Sequence, residues 1–273
     1  MSRPFFDLRA THNAHRWYLP LTQDICVGHE PRMFMYGGVG LGSAVAALER
    51  TTGRPLVWAT AQYLSFARPG EVVDLDVRTP VHGRETTQAR VISHVGDKEI
   101  LTVNAALGRK PHDISIHWRE MPKAQPADEC PPVVLWDDQQ DTLHGRFDIR
   151  AVPGTGHDSN TGVPTPDGRV LRWIRPVEGQ TYDASLLAII ADYVPSAARG
   201  ALGREVRANS LDNTLRMRRL VETEWVLCDI RVSSLHDGFG YGEMDLYAED
   251  GELMATASQS FVLRWPSPET GAF

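Results

Sequence analysis

Cysteine is scarce in this chain: Cys26, Cys130 and Cys228 lie far apart among 273 residues, with no CxxC pair. That spacing excludes a disulfide framework and a cysteine-based zinc site, and it fits a reducing compartment. Positive charge is in deficit, 28 Lys and Arg against 35 Asp and Glu, for a net charge of -7. A nucleic-acid partner is therefore not expected, since such proteins usually present a basic face that displaces counterions from phosphate. Long apolar runs are missing as well. The longest low-charge stretch, residues 33–48, is glycine-rich and 16 residues long, short of the roughly 20 that a membrane span needs. The first residues, MSRPFFDLRATHNAHRW, lack an apolar core followed by a small-residue cleavage site, so a cytoplasmic protein with no membrane partner is expected. Nucleophile-elbow, P-loop and HExxH patterns are also absent. The glycines at 37, 38, 40 and 42 do not give GxGxxG and read instead as close packing of a buried helix on a sheet. His112 and His117 read as part of a surface strand. No cofactor and no metal are expected.

What the chain does contain is a repeat. In the first half, AQYLSFARPGEVVDLDVR (61–78) precedes a turn near HGRE, an alternating run TTQARVISHV, a tight turn GDKE and a last strand ILTVNAAL. In the second, DNTLRMRRLVETEWVLCDIR (212–231) precedes HDGF, YGEMDLYA, EDGE and LMATASQSFVL in the same order. Leu64 falls in register with Leu215, Arg68 with Arg219, Val73 with Val226, Asp76 with Asp229, Arg78 with Arg231, Asp97 with Asp250 and Glu99 with Glu252. Acidic-glycine turns between alternating runs predict antiparallel strands. Each set follows an apolar helical segment, 37–52 and 183–196, which should be buried because it is apolar on every side.

A buried helix wrapped by a long antiparallel sheet is the hotdog arrangement, and two copies make an α+β double hotdog. The expected organisation is an N-terminal unit over 1–120, a linker over 121–168 and a C-terminal unit over 169–273. The linker is rich in Pro, Gly, Asp and Asn, which marks irregular, exposed chain. Within it RFDIR (146–150) alternates enough to add a strand to the second unit. The tail WPSPETGAF is expected to fray.

Polar residues at positions that should be buried are the candidate chemistry. Asp192 sits in the apolar second helix, where a carboxylate is costly unless hydrogen-bonded or used; a helix-end cap or an outward-facing residue is the other reading. Gln259 lies on the last strand. Ser210, Asp212 and Thr214 alternate along NSLDNTLR, which predicts one shared face. Aligning Tyr36 with Tyr182 puts Ala46 at the place of Asp192. The strand register puts Ala59 at Ser210 and Ala106 at Gln259, so the first unit should lack the polar set.

The chain resembles the acyl-CoA thioesterase II family of double-hotdog enzymes. The matching segments are YGG, YLSFARPG, RFDIR, RWIRP, ADYVPS, SLDNTLRMRR and EDGELMATASQ, in that order. The resemblance implies a water held by Asp192, Ser210 and Gln259, hydrolysis of an acyl-CoA without a covalent acyl-enzyme, and a homo-oligomer. The family's DHS followed by an aromatic reads Asp212, Asn213, Thr214, Leu215 here. Arg199, Arg204, Arg207, Arg216, Arg218 and Arg219 offer a basic patch for the coenzyme's phosphates, with Arg216, Arg218, Arg219 and Thr214 as candidate substrate contacts; a solvated face or an oligomer contact is the other reading of the patch. Two alternatives remain: a hotdog hydratase or dehydratase, which needs a histidine paired with a carboxylate, and a non-catalytic acyl-CoA-binding protein.

Overall fold

The chain's alternating runs build strands and its two apolar segments build helices inside them. The computed structural model describes residues 4–135, 139–156 and 163–266. In chain order, β1 (Arg9–Ala10), β2 (Arg16–Pro20), β3 (Cys26–Val27) and β4 (Phe34–Met35) lead into helix α1 (Gly37–Thr52). Strands β5 (Leu56–Tyr63), β6 (Val72–His82), β7 (Thr86–Val95) and β8 (Lys98–Gly108) complete the first half. The second half comprises β9 (Phe147–Ala151), β10 (Arg169–Pro176), α2 (Ala184–Ala191), α3 (Ala197–Leu202), β11 (Arg207–Ser210), β12 (Asp212–Met217), β13 (Val226–His236), β14 (Phe239–Ala248) and β15 (Leu253–Arg264).

The sheet runs β1-β2-β6-β7-β8-β5-β12-β15-β14-β13-β10-β9, with β11 beside β15. Reading outward from the β5–β12 junction, β8, β7, β6 and β2 are mirrored by β15, β14, β13 and β10, which makes this an α+β double hotdog. The repeat extends to side chains. Asp76 pairs with Arg16 on β2 at 3.1 Å, and Asp229 pairs with Arg169 on β10 at 2.7 Å. Val73 and Val226 are both buried.

The ladders revise part of the register. Rung Ala61–Val103 matches Leu215–Ala257, and Leu56–Leu107 matches Ser210–Phe261. Leu215, in the core, therefore corresponds to Ala61, while Leu64 is 47 % exposed beyond β5. Leu56 and Ala105, not Ala59 and Ala106, hold the places of Ser210 and Gln259. The first half still lacks the polar set, because both are apolar.

The helices pack antiparallel at the centre, and here glycine is required. A Cβ at Gly38 would lie 2.6 Å from Ile189 O, and one at Gly42 would lie 2.8 Å from Ser185 O. Gly40 instead faces Leu101 on β8, so the glycine run serves helix–helix as well as helix–sheet contact. α2 is shorter than the expected 183–196. Asp183 caps its start by accepting from Leu186 N at 2.7 Å, and it ends at Asp192. Pro195 disfavours helical geometry at the residue before it, and α3 begins afresh beyond it.

The segment between the halves is not uniformly exposed. Ala127 and Cys130 are buried against Trp173, Trp225, Leu227, Tyr247 and Leu253, a second apolar cluster. Gln125 O accepts from Trp173 Nε1 at 2.8 Å. Outward-facing apolar residues of β10 and β13 would otherwise be wet, and this strap covers them. RFDIR forms β9 against β10. Residues 136–138 and 157–162 of the expected linker, and 267–273 of the expected frayed tail, lie outside the described residues. No strand forms at His112 or His117. No helix of the described residues is long and apolar enough to cross a membrane.

Candidate active site

Asp192 ends α2, is only 6 % exposed, and has donors on both carboxylate oxygens. Oδ1 accepts from Ser210 Oγ at 2.9 Å and from Gln259 Nε2 at 2.5 Å. Oδ2 accepts from the backbone N–H of Gly38 at 2.6 Å. Gln259 Nε2 also approaches Ser210 Oγ at 3.4 Å and Asp212 O at 3.3 Å. Four segments thus meet on one carboxylate: the start of α1, the end of α2, the end of β11 and the middle of β15.

A bulge aims Ser210 inward. Ser210 faces Phe261 and Thr214 faces Ser258, so four steps on one strand span three on the other, and Leu211 and Asp212 share the place opposite Ser260. The extra residue reverses the alternation. Ser210, Asn213 and Leu215 then face the helices, while Asp212 and Thr214 face away. The expectation that Ser210, Asp212 and Thr214 share a face fails for this reason. Asp212 instead accepts from Ser260 N through Oδ1 at 2.6 Å, pinning the bulge.

Burial pushes the Asp192 carboxyl up to about 6. Gln259, Ser210 and the Gly38 N–H oppose that rise by hydrogen-bonding the charged form. The N-terminus of α1, with its partial positive charge, adds to their effect. Asp192 is therefore ionised at neutral pH yet close enough to neutrality to exchange a proton.

Around it lie two buried polar atoms with no partner among the described residues, Gln259 Oε1 and the Tyr36 hydroxyl, and beside them the Tyr63 hydroxyl, which interacts with the Asn213 amide. Such groups are costly when unsatisfied. His144 packs against Tyr36 and Tyr193. Its Nδ1 lies 3.3 Å from Tyr193 Oη, and burial pushes it down to about 4. It pairs with no carboxylate among the described residues. No group of three metal-ligating side chains occurs among the described residues.

The family model for the acyl-CoA thioesterase C-terminal domain matches residues 127–263, half of the chain. A candidate thioesterase from Novosphingobium aromaticivorans DSM 12444 superposes with a TM-score of 0.85 at 30 % identity, over 94 % of this chain and 98 % of that one. The chain belongs to the acyl-CoA thioesterase II family. The tesB protein of Mycobacterium avium subs paratuberculosis (TM-score 0.76, 20 % identity, 95 % and 96 % of the two chains) shares the fold. So does the acyl-CoA thioesterase II TesB2 of Mycobacterium marinum (0.74, 20 %, 96 % and 97 %). Comparison with curated proteins gives no match.

Within this thioesterase II chain, the three residues singled out in the sequence, Asp192, Ser210 and Gln259, converge. The four substrate contacts expected from the sequence do not join them. Thr214 lies on the far face of the sheet, its hydroxyl 2.7 Å from that of Thr60, and Arg216 is exposed on that same face. Arg218 is ion-paired with Glu252, and Arg219 is exposed. Arg199 is likewise occupied, by Glu205 at 2.6 Å. Sequence reasoning missed Gly38, Tyr36, Tyr63 and Asn213. One signal was present: α1 starts at Tyr36, which has no side chain able to cap its first N–H groups, so an acceptor from elsewhere was to be sought.

Proposed function

We propose that this chain hydrolyses acyl-CoA thioesters by direct attack of water, with Asp192 as general base. The observation that carries this reading is the convergence of Ser210, Gln259 and the Gly38 N–H on the Asp192 carboxylate. A water beside Asp192 gives a proton to the carboxylate as its oxygen attacks the thioester carbon. Gln259 Oε1, buried and unpartnered, is available to accept that water's other hydrogen. The tetrahedral intermediate collapses with cleavage of the C–S bond. The electron pair leaves on sulfur, and Asp192 returns its proton to the thiolate, giving free acid and CoA. General base catalysis of this kind contributes about 10^2 to 10^4-fold.

A covalent route through cysteine finds no support. Cys26, Cys130 and Cys228 are buried, and burial pushes all three thiols up, Cys26 to about 12. The same reading divides the chain into units 1–120 and 169–273 around the linker, with one site per chain: the second unit supplies the side chains and the first supplies Gly38. Thiol release by the purified protein from acyl-CoAs of graded chain length tests it. Release from at least one substrate is expected; binding without release from any would favour a non-catalytic acyl-CoA-binding protein.

A further inference from the structure

The two oxygens of Asp192 are not equally occupied. Oδ1 accepts from Ser210 and Gln259, while Oδ2 accepts from the Gly38 N–H alone among the described residues. A carboxylate oxygen has about two lone pairs to offer, so Oδ1 is saturated and the proton of an attacking water goes to Oδ2. The side from which Oδ2 is approached is then the side on which the thioester must sit.

Gly37 marks that side. A Cβ on it would lie 2.7 Å from Asp192 Oδ2 and 3.1 and 3.2 Å from Cζ and Cε1 of Tyr63, so the carboxylate oxygen and the phenol ring meet the same face of the α1 start. Gly37 and Tyr63 are half-buried, whereas Asp192, Gly38 and Gln259 are buried. Ser210, also half-buried, borders the saturated oxygen. The Tyr63 backbone is fixed, its N–H donating to Leu211 O at 3.0 Å, and its hydroxyl is buried and interacts with the amide of Asn213. Swinging the ring outward breaks no main-chain hydrogen bond.

The other ionisable groups around Asp192 are Tyr36 at the α1 start and Tyr193 next along the chain. Both, like Tyr63, are phenols that burial pushes up, so all three are neutral at pH 7. His144, packed on Tyr36 and Tyr193, is pushed down to about 4, Arg172 of β10 donates to Ser196, and Asp212 of β12 faces away and accepts from Ser260 N. Exclusion of water, not a neighbouring charge, is what raises the carboxyl.

We propose that acyl-CoA enters between Gly37 and Tyr63, and that the Tyr63 ring is a gate which keeps water from Asp192 Oδ2 until the thioester displaces it. This rests on the hydrolase reading given above. The test compares Tyr63→Ala, which removes the ring, with Tyr63→Phe, which keeps it. The acidic limb of kcat/KM should fall from about 6 by ~1 pH unit in Tyr63→Ala, as water relieves part of the burial penalty, and should stay in place in Tyr63→Phe. Tyr63→Leu, a smaller apolar cover, keeps the measurement available if alanine impairs folding, with a smaller shift expected. A limb still at about 6 without the ring, or an equal shift in Tyr63→Phe, would overturn the proposal. The entry route is read from selectivity: the ratio of kcat/KM for an α-methyl acyl-CoA to that for its straight-chain parent should rise about tenfold in Tyr63→Ala. An unchanged ratio would place the entry elsewhere and sink the gate. A readout independent of turnover is the stabilisation that Asp192→Asn brings at pH 7, measured by denaturant unfolding in the wild-type and Tyr63→Ala backgrounds. A smaller stabilisation with the ring gone supports the gate even if no thioester is cleaved, an outcome that would contradict only the hydrolase reading. Equal stabilisation in the two backgrounds overturns it.

Discussion

Gly38 donates its backbone N–H to Asp192 Oδ2 at 2.6 Å, across 154 residues of chain and from the opposite half of the duplication. The contact makes the first half part of the site although it contributes no reactive side chain. It also makes glycine obligatory: a Cβ at Gly38 would lie 2.6 Å from Ile189 O and 2.9 Å from Asp192 Cβ. Gly38→Ala should push the helices apart and destabilise by about 1 to 3 kcal/mol, the usual cost of overpacking. Turnover should fall in parallel. Thermal unfolding together with kcat measures both, and a variant with wild-type values in each would remove Gly38 from the site.

The pH dependence follows from the raised carboxyl. Asp192 must be ionised to accept a proton, so kcat/KM should rise with pH through about 6 and level off above it. Stability runs the other way. A carboxyl whose folded pKa exceeds its unfolded value near 3.8 favours the folded state when protonated, and that contribution is lost as pH climbs from about 4 to 6. Asp192→Asn removes the penalty and should be more stable than wild type at pH 7, by an amount on the order of 3 kcal/mol at most. The gap should shrink towards pH 4. Denaturant unfolding of both proteins at the two pH values would show it.

Removing a donor to Oδ1 should move that acidic limb. Gln259 and Ser210 hold the Asp192 pKa down, so Gln259→Ala and Ser210→Ala should each shift the limb upward. Gln259→Ala should also lower kcat by about 10^2, as loss of a positioning hydrogen bond in a dry site does elsewhere. A pH–rate profile with a lowered rate but an unmoved limb would mean that Gln259 acts without touching the base.

The bulge opposite Ser260 offers a test that leaves every proposed catalytic side chain in the sequence. Deleting Leu211 removes the bulge: Ser210 then directly neighbours Asp212, which faces away, so regular alternation keeps Ser210 on the inner face opposite Phe261. Circular dichroism should remain that of the wild-type sheet and activity should be largely kept. A deletion variant with activity at the level of Ser210→Ala would show that the bulge itself, and not the inner face alone, places Ser210.

These relationships differ in how far they could be read from the chain. The limits of α1 and β7 follow from local periodicity, turns and glycine and match residue for residue, and those of β8 nearly so. The convergence of Asp192, Ser210 and Gln259 was reached by resemblance. The shared face of Ser210, Asp212 and Thr214 was misread because a one-residue bulge leaves the alternating pattern of a sequence looking intact while reversing every side chain beyond it. The alignment of Leu64 with Leu215 failed for a related reason: similar residues recur every second position, and only the ladder says which rung each occupies. The Gly38–Asp192 bond had no local signature beyond the uncapped start at Tyr36. Burial of Ala127 and Cys130 depended on outward-facing apolar residues such as Trp173, whose orientation is set by the sheet.

The most direct measurement is free-thiol release from a panel of acyl-CoAs by wild type and by Asp192→Asn, both shown to be folded. The expected result is turnover by wild type on at least one substrate and a loss of about 10^2 to 10^4-fold in the variant, the share attributable to general base catalysis. Turnover by Asp192→Asn at the wild-type rate would contradict the assignment of Asp192 as the base.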